Sequence, residues 1–223
     1  MARIRVAAYN VQMLRAGTRR VAAALADVRP DVLILNETGY VGLKLRRFAR
    51  RLGMRRSSGL HGIRRIPNAV FVRAPWRIVG SRTLRFPRLH RTVRRGAVVS
   101  EVARAGARLW VVAVHLGLAA DERRRHAEVL TDDLAGVRPV VIGGDLNEDP
   151  SGAAATWIRS RYWDAFGDVL AGEAPTFPSH SARARIDYVF VSDAINVERA
   201  WVHVAAGDAS DPLPVFADLE GAD

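Results

Sequence analysis

The stretch Val140-Val141-Ile142-Gly143-Gly144-Asp145-Leu146-Asn147-Glu148-Asp149, closed by Pro150, constrains this chain more than any other. Its apolar opening reads as a buried strand. Two glycines then let the backbone turn closely around whatever sits at the strand end. Asp145 and Asn147 follow two positions apart, so on extended backbone their side chains face the same way. A carboxylate and an amide aimed into one pocket suit a polarised water, a divalent metal or a phosphate. The same residue types also close strands for purely local reasons, as turn formers. The other strand ends bear on the choice.

Several further apolar runs carry polar groups that burial of a strand does not require. Asn10 follows Val6-Ala7-Ala8-Tyr9, and Glu37 follows the run Val32 to Asn36. His115 ends the run that begins at Leu109, Asp187 stands near the start of Ile186 to Val191, and Ser210-Asp211 precedes the last apolar segment. Gathered at one rim, these ends would hold Glu37, Asp145, Asp187 and Asp211, with Asn10, Asn147 and His115 among them. Carboxylates so close repel strongly unless a cation lies between them. Hard oxygen donors and the absence of cysteine favour magnesium or manganese over zinc.

The order of elements points to an α+β fold. Strands are expected over 4–10, 32–35, 69–72, 77–84, 97–102, 109–115, 140–142, 186–191, 196–204 and 213–219. Helices are expected over 18–28, with Thr18 as cap, and over 41–52, 119–134 and 151–160, the last opened by Pro150 and Ser151. Residues 54–66 read as a loop or irregular strand pair, and 167–184 as a long loop. Many strands follow one another without a helix, which argues for mixed or antiparallel sheets. Two packed sheets with helices outside would bury such apolar strands on both faces. No linker or repeat divides the 223 residues, so a single domain over 1–223 is expected.

Composition narrows the chemistry. Without cysteine there are no disulfides, thiolate nucleophiles or zinc–thiolate sites. No apolar run approaches the roughly 20 residues of a membrane span, and the N-terminus enters a strand without a signal-peptide core. A cytoplasmic protein with no stable membrane insertion is expected. The formal charge is +11, with Lys44 the only lysine. GC-rich codons account for arginine over lysine but not for the excess of positive charge, which favours anionic, phosphate-bearing partners and nucleic acid first. Arg94 and Arg95, just before Gly96, are candidate phosphate contacts, or members of a solvated loop. The arginines between 46 and 65 are a candidate nucleic-acid or anionic-lipid surface, although Phe48 is the only aromatic between Tyr40 and Phe71.

Taken in order, Tyr9-Asn10-Val11, the run Pro30 to Glu37, Val114-His115-Leu116, Gly144-Asp145-Leu146-Asn147, Arg185-Ile186-Asp187-Tyr188 and Ser210-Asp211-Pro212-Leu213-Pro214-Val215 resemble the endonuclease/exonuclease/phosphatase superfamily. These are the DNase I-like metal-dependent phosphoesterases. The resemblance implies a four-layer αββα sandwich, with two packed mixed β-sheets flanked by helices, and hydrolysis of a phosphate ester with Mg2+ or Mn2+. It also implies roles. Glu37 resembles the principal metal ligand, with Asn10 beside it and Asp211 at or near the metal. Asp145 resembles the group that positions or deprotonates the attacking water, and Asn147 a phosphate or metal contact. His115 resembles a donor to the phosphate, and Asp187 the carboxylate that orients a second histidine.

That second histidine is missing. The family's closing motif places it directly after Ser-Asp, where this chain has Pro212. Proline neither donates nor accepts a side-chain proton. A slow enzyme, replacement by His180 or His203, and a non-catalytic phosphate- or nucleic-acid-binding domain are the alternatives this leaves.

Overall fold

The computed structural model describes residues 3–39, 42–57, 66–90, 93–167 and 174–221. The first half of the chain supplies β1 (Ile4–Asn10), α1 (Thr18–Ala23), β2 (Val32–Asn36), α2 (Gly42–Leu52), β3 (Arg55–Arg56), β4 (Ala69–Val72), β5 (Arg77–Arg85), β6 (Gly96–Arg104) and β7 (Ala107–His115). The second half supplies α3 (Ala120–Asp133), β8 (Val140–Asp145), α4 (Ala153–Arg159), β9 (Trp163–Asp164), β10 (Asp187–Val191), β11 (Ile195–Val202) and β12 (Val215–Gly221). Two six-stranded sheets result, ordered β11-β12-β1-β2-β4-β3 and β5-β6-β7-β8-β10-β9. Each has one parallel pair at its centre, β1–β2 or β7–β8, flanked by antiparallel neighbours.

The apolar runs are continuous because each central strand is covered on both faces. In β2, Val32 and Ile34 enter the core between the sheets, where they join Val111, Ala113 and Val189. Leu33 and Leu35 face the other way, toward Val21, Leu45 and Phe48 of α1 and α2. On the far side, Val112, Val114 and Ile142 pack under Ala127 and Leu130 of α3 and Ile158 of α4. The layers are therefore helix, sheet, sheet, helix, as the resemblance implies. No helix among the described residues is long and apolar enough to cross a membrane.

Local departures from the sequence reading have local causes. The first helix stops at Ala23 because Leu25 and Ala26 bond back to Ala22 and Ala23, three residues away, and the chain tightens into turns. Thr18 does not cap it; Gly17, at φ +87°, takes that position without a side-chain bond. The fourth helix begins at Ala153 rather than at 151, and Pro150 and Ser151 do not open it. Instead Glu148 Oε2 accepts the N–H groups of Ala154 at 2.7 Å and Ala155 at 3.1 Å. The two-residue edge strands β3 and β9 are too short for any periodicity to reveal. The expected loops at 54–66 and 167–184 lie partly outside the described residues.

Candidate active site

The two parallel pairs bring their C-terminal ends to one rim. In the first sheet Asn10 stands opposite Asn36, and in the second His115 stands opposite Asp145. The antiparallel neighbour β10 sets Asp187 opposite Asp145 from the other side. Strand register thus brings His115, Asp145 and Asp187 together, and the packing of the two sheets adds Asn10.

Asp145 is the hub. It is buried, and its Oδ2 accepts Asn10 Nδ2 at 3.0 Å across the gap between the sheets. Its Oδ1 accepts the Asn147 N–H at 2.8 Å, and Nε2 of His115 lies 3.6 Å from Oδ2. Its own N–H donates to Asn36 Oδ1 at 3.1 Å, while Asn36 Nδ2 donates to the Val114 carbonyl at 2.8 Å. Asn36 is fully buried, so it works as a clamp between the sheets and fixes the Asp145 backbone. The sequence placed Asn36 only at the end of a strand; its type at that position was the one available signal. Asn68 makes a similar link, from Nδ2 to the carbonyls of Gly96 and Ala113, both at 3.0 Å.

The glycines before Asp145 serve packing rather than ligand approach. A Cβ on Gly144, which has φ +142°, would stand 1.9 Å from the Val114 carbonyl oxygen. One on Gly143 would stand 2.7 Å from Ile34 Cδ1. Both are needed for β8 to lie close to β7 and to the facing sheet. Asn147 follows in left-handed backbone at φ +53°, and Glu37 shares that conformation at φ +50°. Two non-glycine residues held there mark the rim as locally strained.

His115 carries one proton, and its position is fixed. Arg95 Nη1 lies 2.8 Å from His115 Nδ1. Arginine only donates, so Nδ1 is the acceptor and Nε2 bears the hydrogen that faces Asp145. Burial, and next the Arg95 charge, hold the imidazole well below its usual pKa, so it is neutral at pH 7. The carboxylates shift the opposite way. Burial pushes Asp145 up to about 6, against the hydrogen bonds from Asn10 and Asn147, and Glu37 adds repulsion. Burial raises Asp187 further, and Asp145 and Asp211 add to it. Among the described residues neither oxygen of Asp187 accepts a hydrogen bond of good geometry, although Thr176 is near enough to oppose the rise.

The remaining expected site residues are looser. Glu37 is within electrostatic reach of Asp145 and only half-buried. Asp211 accepts the Ser179 N–H at 2.6 Å and acts on Asp187 rather than on Asp145. Asn147 uses its Nδ2 on the Leu116 carbonyl at 3.1 Å. Arg94 is exposed and outside this network. His203 packs on Phe216 and lies 3.5 Å from Asp27, while His180 is exposed on the turn that holds Asp211. Among the described residues, no three His, Asp or Glu side chains converge tightly enough to enclose an ion by themselves. The rim is therefore more open than the expected knot of carboxylates. Its donors are nevertheless hard oxygens, and the bare buried carboxylate of Asp187 and the raised Asp145 are what a nearby cation would relieve.

Comparison with solved structures supports the architecture. An endonuclease/exonuclease/phosphatase from Bacteroides vulgatus is 19% identical, with a TM-score of 0.82 over 99% of this chain and 100% of that one. D. rerio TDP2 complexed with a single-strand DNA product is 16% identical, with a TM-score of 0.80 over 99% and 100%. A mannosyl-6-phosphatase from Bacteroides thetaiotaomicron is 19% identical, with a TM-score of 0.82 over 97% and 99%. A search of curated proteins found no match. At these identities the structural likeness speaks for the fold. The sequence model of the Endonuclease/Exonuclease/phosphatase family matches residues 7–211, nearly the whole chain, and the protein belongs to that family.

Proposed function

We propose that this protein is a divalent-metal-dependent phosphoesterase, built as one domain, that hydrolyses a phosphodiester, with nucleic acid as the substrate class. The observation that carries this reading is the set of groups meeting at Asp145: an amide from Asn10, a neutral imidazole from His115 and a second carboxylate from Asp187. Relatives of this fold include proteins whose descriptions name a DNA product and a sugar phosphate. The net charge of +11 favours the polyanion.

Each group has work to do in such a reaction. Asp145, ionised above about pH 6, aligns the attacking water and accepts its proton. Asn10 and Asn147 hold its two oxygens and keep them aimed. His115 offers its Nε2–H to a phosphoryl oxygen, with Arg95 securing the tautomer from behind. Glu37, with Asn10 beside it, would hold a magnesium or manganese ion, and Asp211 stands further out near Asp187. One or two carboxylates completed by water is the usual shell of magnesium. Such an ion, when bound, neutralises charge on the phosphate and acidifies a coordinated water.

A second reading has one observation in its favour. Among the described residues Asp187 accepts no hydrogen bond of good geometry, and Pro212 stands where the resemblance implies the family's second histidine. A domain that binds phosphate without turning it over is the alternative. Hydrolysis of bis(p-nitrophenyl) phosphate and of plasmid DNA separates the two. Turnover that needs Mg2+ or Mn2+, stops with EDTA and is lost in Asp145→Ala supports the enzyme. Absence of turnover in the native chain, with retained DNA binding, supports the binding domain.

A further inference from the structure

The positive charge of this protein has one source. Residues 38–100 contain no aspartate or glutamate, yet hold 17 of the 34 basic side chains. The rest of the chain, with 17 basic against 23 acidic residues, is net negative. Codon bias exchanges lysine for arginine; it does not strip carboxylates from one segment and leave them in another. Some of these arginines have structural work. Arg73 bonds the carbonyls of Pro30 and Leu52, Arg82 pairs with Asp133, and Arg95 holds His115.

The arginines of α2 and β3 have no such role. Helix α2 buries Leu45, Phe48, Ala49 and Leu52 against the sheet, so Arg46, Arg47, Arg50 and Arg51 face solvent in two rows one turn apart. Edge strand β3 adds Arg55 and Arg56 alongside. Among the described residues none of these six forms an ion pair with a carboxylate. Arg46, Arg47, Arg50, Arg55 and Arg56, together with Leu43, line a groove of about 500 Å3 between helix and strand. A second hollow of about 440 Å3, lined by Arg47, Arg50 and Arg51, adjoins it. The helix begins shortly after Glu37 and leads away from the rim for about 16 Å, at 1.5 Å per residue. Arg55 lies opposite Val72, which in turn pairs with Val32 at the end of β2 remote from the site.

We infer that this groove is a docking track for the phosphate backbone of a nucleic acid strand whose reacting phosphate lies at the Asp145 rim. This rests on the nucleic-acid reading above and specifies how the rest of the polymer is held. Repeated guanidinium forks along a concave strip suit a chain of phosphates. No aromatic side chain is exposed along α2, so contact is through backbone charge and carries no base preference. A lipid surface fits less well, because the apolar side of α2 is turned inward and Leu43 alone is left to insert.

The test is binding of a fluorescent oligothymidylate to the full chain as a function of NaCl, comparing the native protein with the combined variant Arg46→Gln, Arg50→Gln, Arg55→Gln, Arg56→Gln. The log–log salt slope should become shallower by about 0.7 for each contact removed. Turnover of bis(p-nitrophenyl) phosphate, too small to reach the groove, should stay unchanged. The matching Arg→Lys variant should keep most of the slope, and it serves as the folded control if the glutamine variant melts early. An unchanged slope in the glutamine variant overturns the proposal. So does a variant that loses binding to phosphatidylserine vesicles while holding oligothymidylate as before. If the native chain turns over neither substrate, the enzymatic reading fails while the slope still reports on the groove.

Discussion

Arg95 donates from Nη1 to Nδ1 of His115 at 2.8 Å, and thereby decides which imidazole nitrogen faces Asp145. An arginine that reads in the sequence as a candidate phosphate contact or a member of a solvated loop also holds the histidine. Replacing it by Arg95→Met leaves Nδ1 without its donor and removes a positive charge from beside the ring. The His115 pKa should then rise, though not to the ordinary value, because burial is the larger cause of its depression. Turnover should fall by roughly 10–100-fold, as for other groups that orient a site side chain. An NMR titration of the His115 ring protons alongside kcat checks both; an unmoved titration with full activity would discard the holding role.

Asp145 is positioned against the stability of the fold. Its folded pKa of about 6 exceeds the ordinary 3.8, so the folded chain binds the proton more tightly than the unfolded one. The sign follows: its contribution is fully present below pH 4 and is lost as pH rises through 6. At pH 7 the metal-free protein carries a penalty on the order of 2–3 kcal/mol from this buried group. Asp145→Asn should therefore raise the melting temperature at pH 7 in EDTA, leave it nearly unchanged at pH 4, and abolish turnover. Thermal melts at the two pH values give the measurement. A variant less stable than native at pH 7 would refute the assignment.

The sequence carried the central part of the site because strand ends are legible. An apolar run that stops at a polar residue announces itself at Asn10, Glu37, His115 and Asp145, and Asp187 marks the start of such a run. Strand pairing then sets His115, Asp145 and Asp187 side by side, and sheet packing brings Asn10 to them, which no single segment encodes. What stayed hidden was contact between segments distant in sequence. Asn36 reads as one more strand residue, yet it bonds the backbone of Asp145 and Val114 in the opposite sheet. Gly143 and Gly144 look like a ligand loop and instead admit Ile34 and Val114. Thr18 looks like a cap, but the backbone enters the helix through Gly17.

Glu148 illustrates the same limit and gives a stability test. Beside the site motif it reads as a turn residue; in the fold its Oε2 caps α4 and its Oε1 accepts Arg123 Nε at 2.9 Å. Gly152 is obligatory next to it, since a Cβ there would meet the Glu148 side chain at 2.1 Å. Removing the cap and the partly buried ion pair in Glu148→Ala should cost about 2 kcal/mol. For a chain of this size that lowers Tm by roughly 4–8 °C. Differential scanning calorimetry reads it directly, and Glu148→Gln should recover part of the loss through its retained oxygen. Equal melting of Glu148→Ala and native protein would show the cap to be idle.

A histidine placed at residue 212 probes whether Asp187 can use an imidazole partner. Asp187 is fully buried, and among the described residues Thr176 is the one side chain that stands to relieve its charge, without a hydrogen bond of good geometry. Such a carboxylate is costly, and its pKa is raised accordingly. Ser210-Asp211 leads into Pro212, which is buried and stands where the resemblance implies a histidine. Restoring the imidazole with Pro212→His should give Asp187 a partner and supply a positioned acid–base group, which is worth roughly 10²–10⁴ in rate. The expected result is a rise in kcat on bis(p-nitrophenyl) phosphate, with KM little changed. Adding Asp187→Asn to that background should cancel most of the gain, whereas Asp187→Asn in the native chain should change kcat far less. This double-mutant comparison separates a restored pair from a local repacking effect. A gain that survives Asp187→Asn would mean the new histidine acts alone, and no gain in a well-folded Pro212→His would mean that Asp187 is not waiting for an imidazole at all.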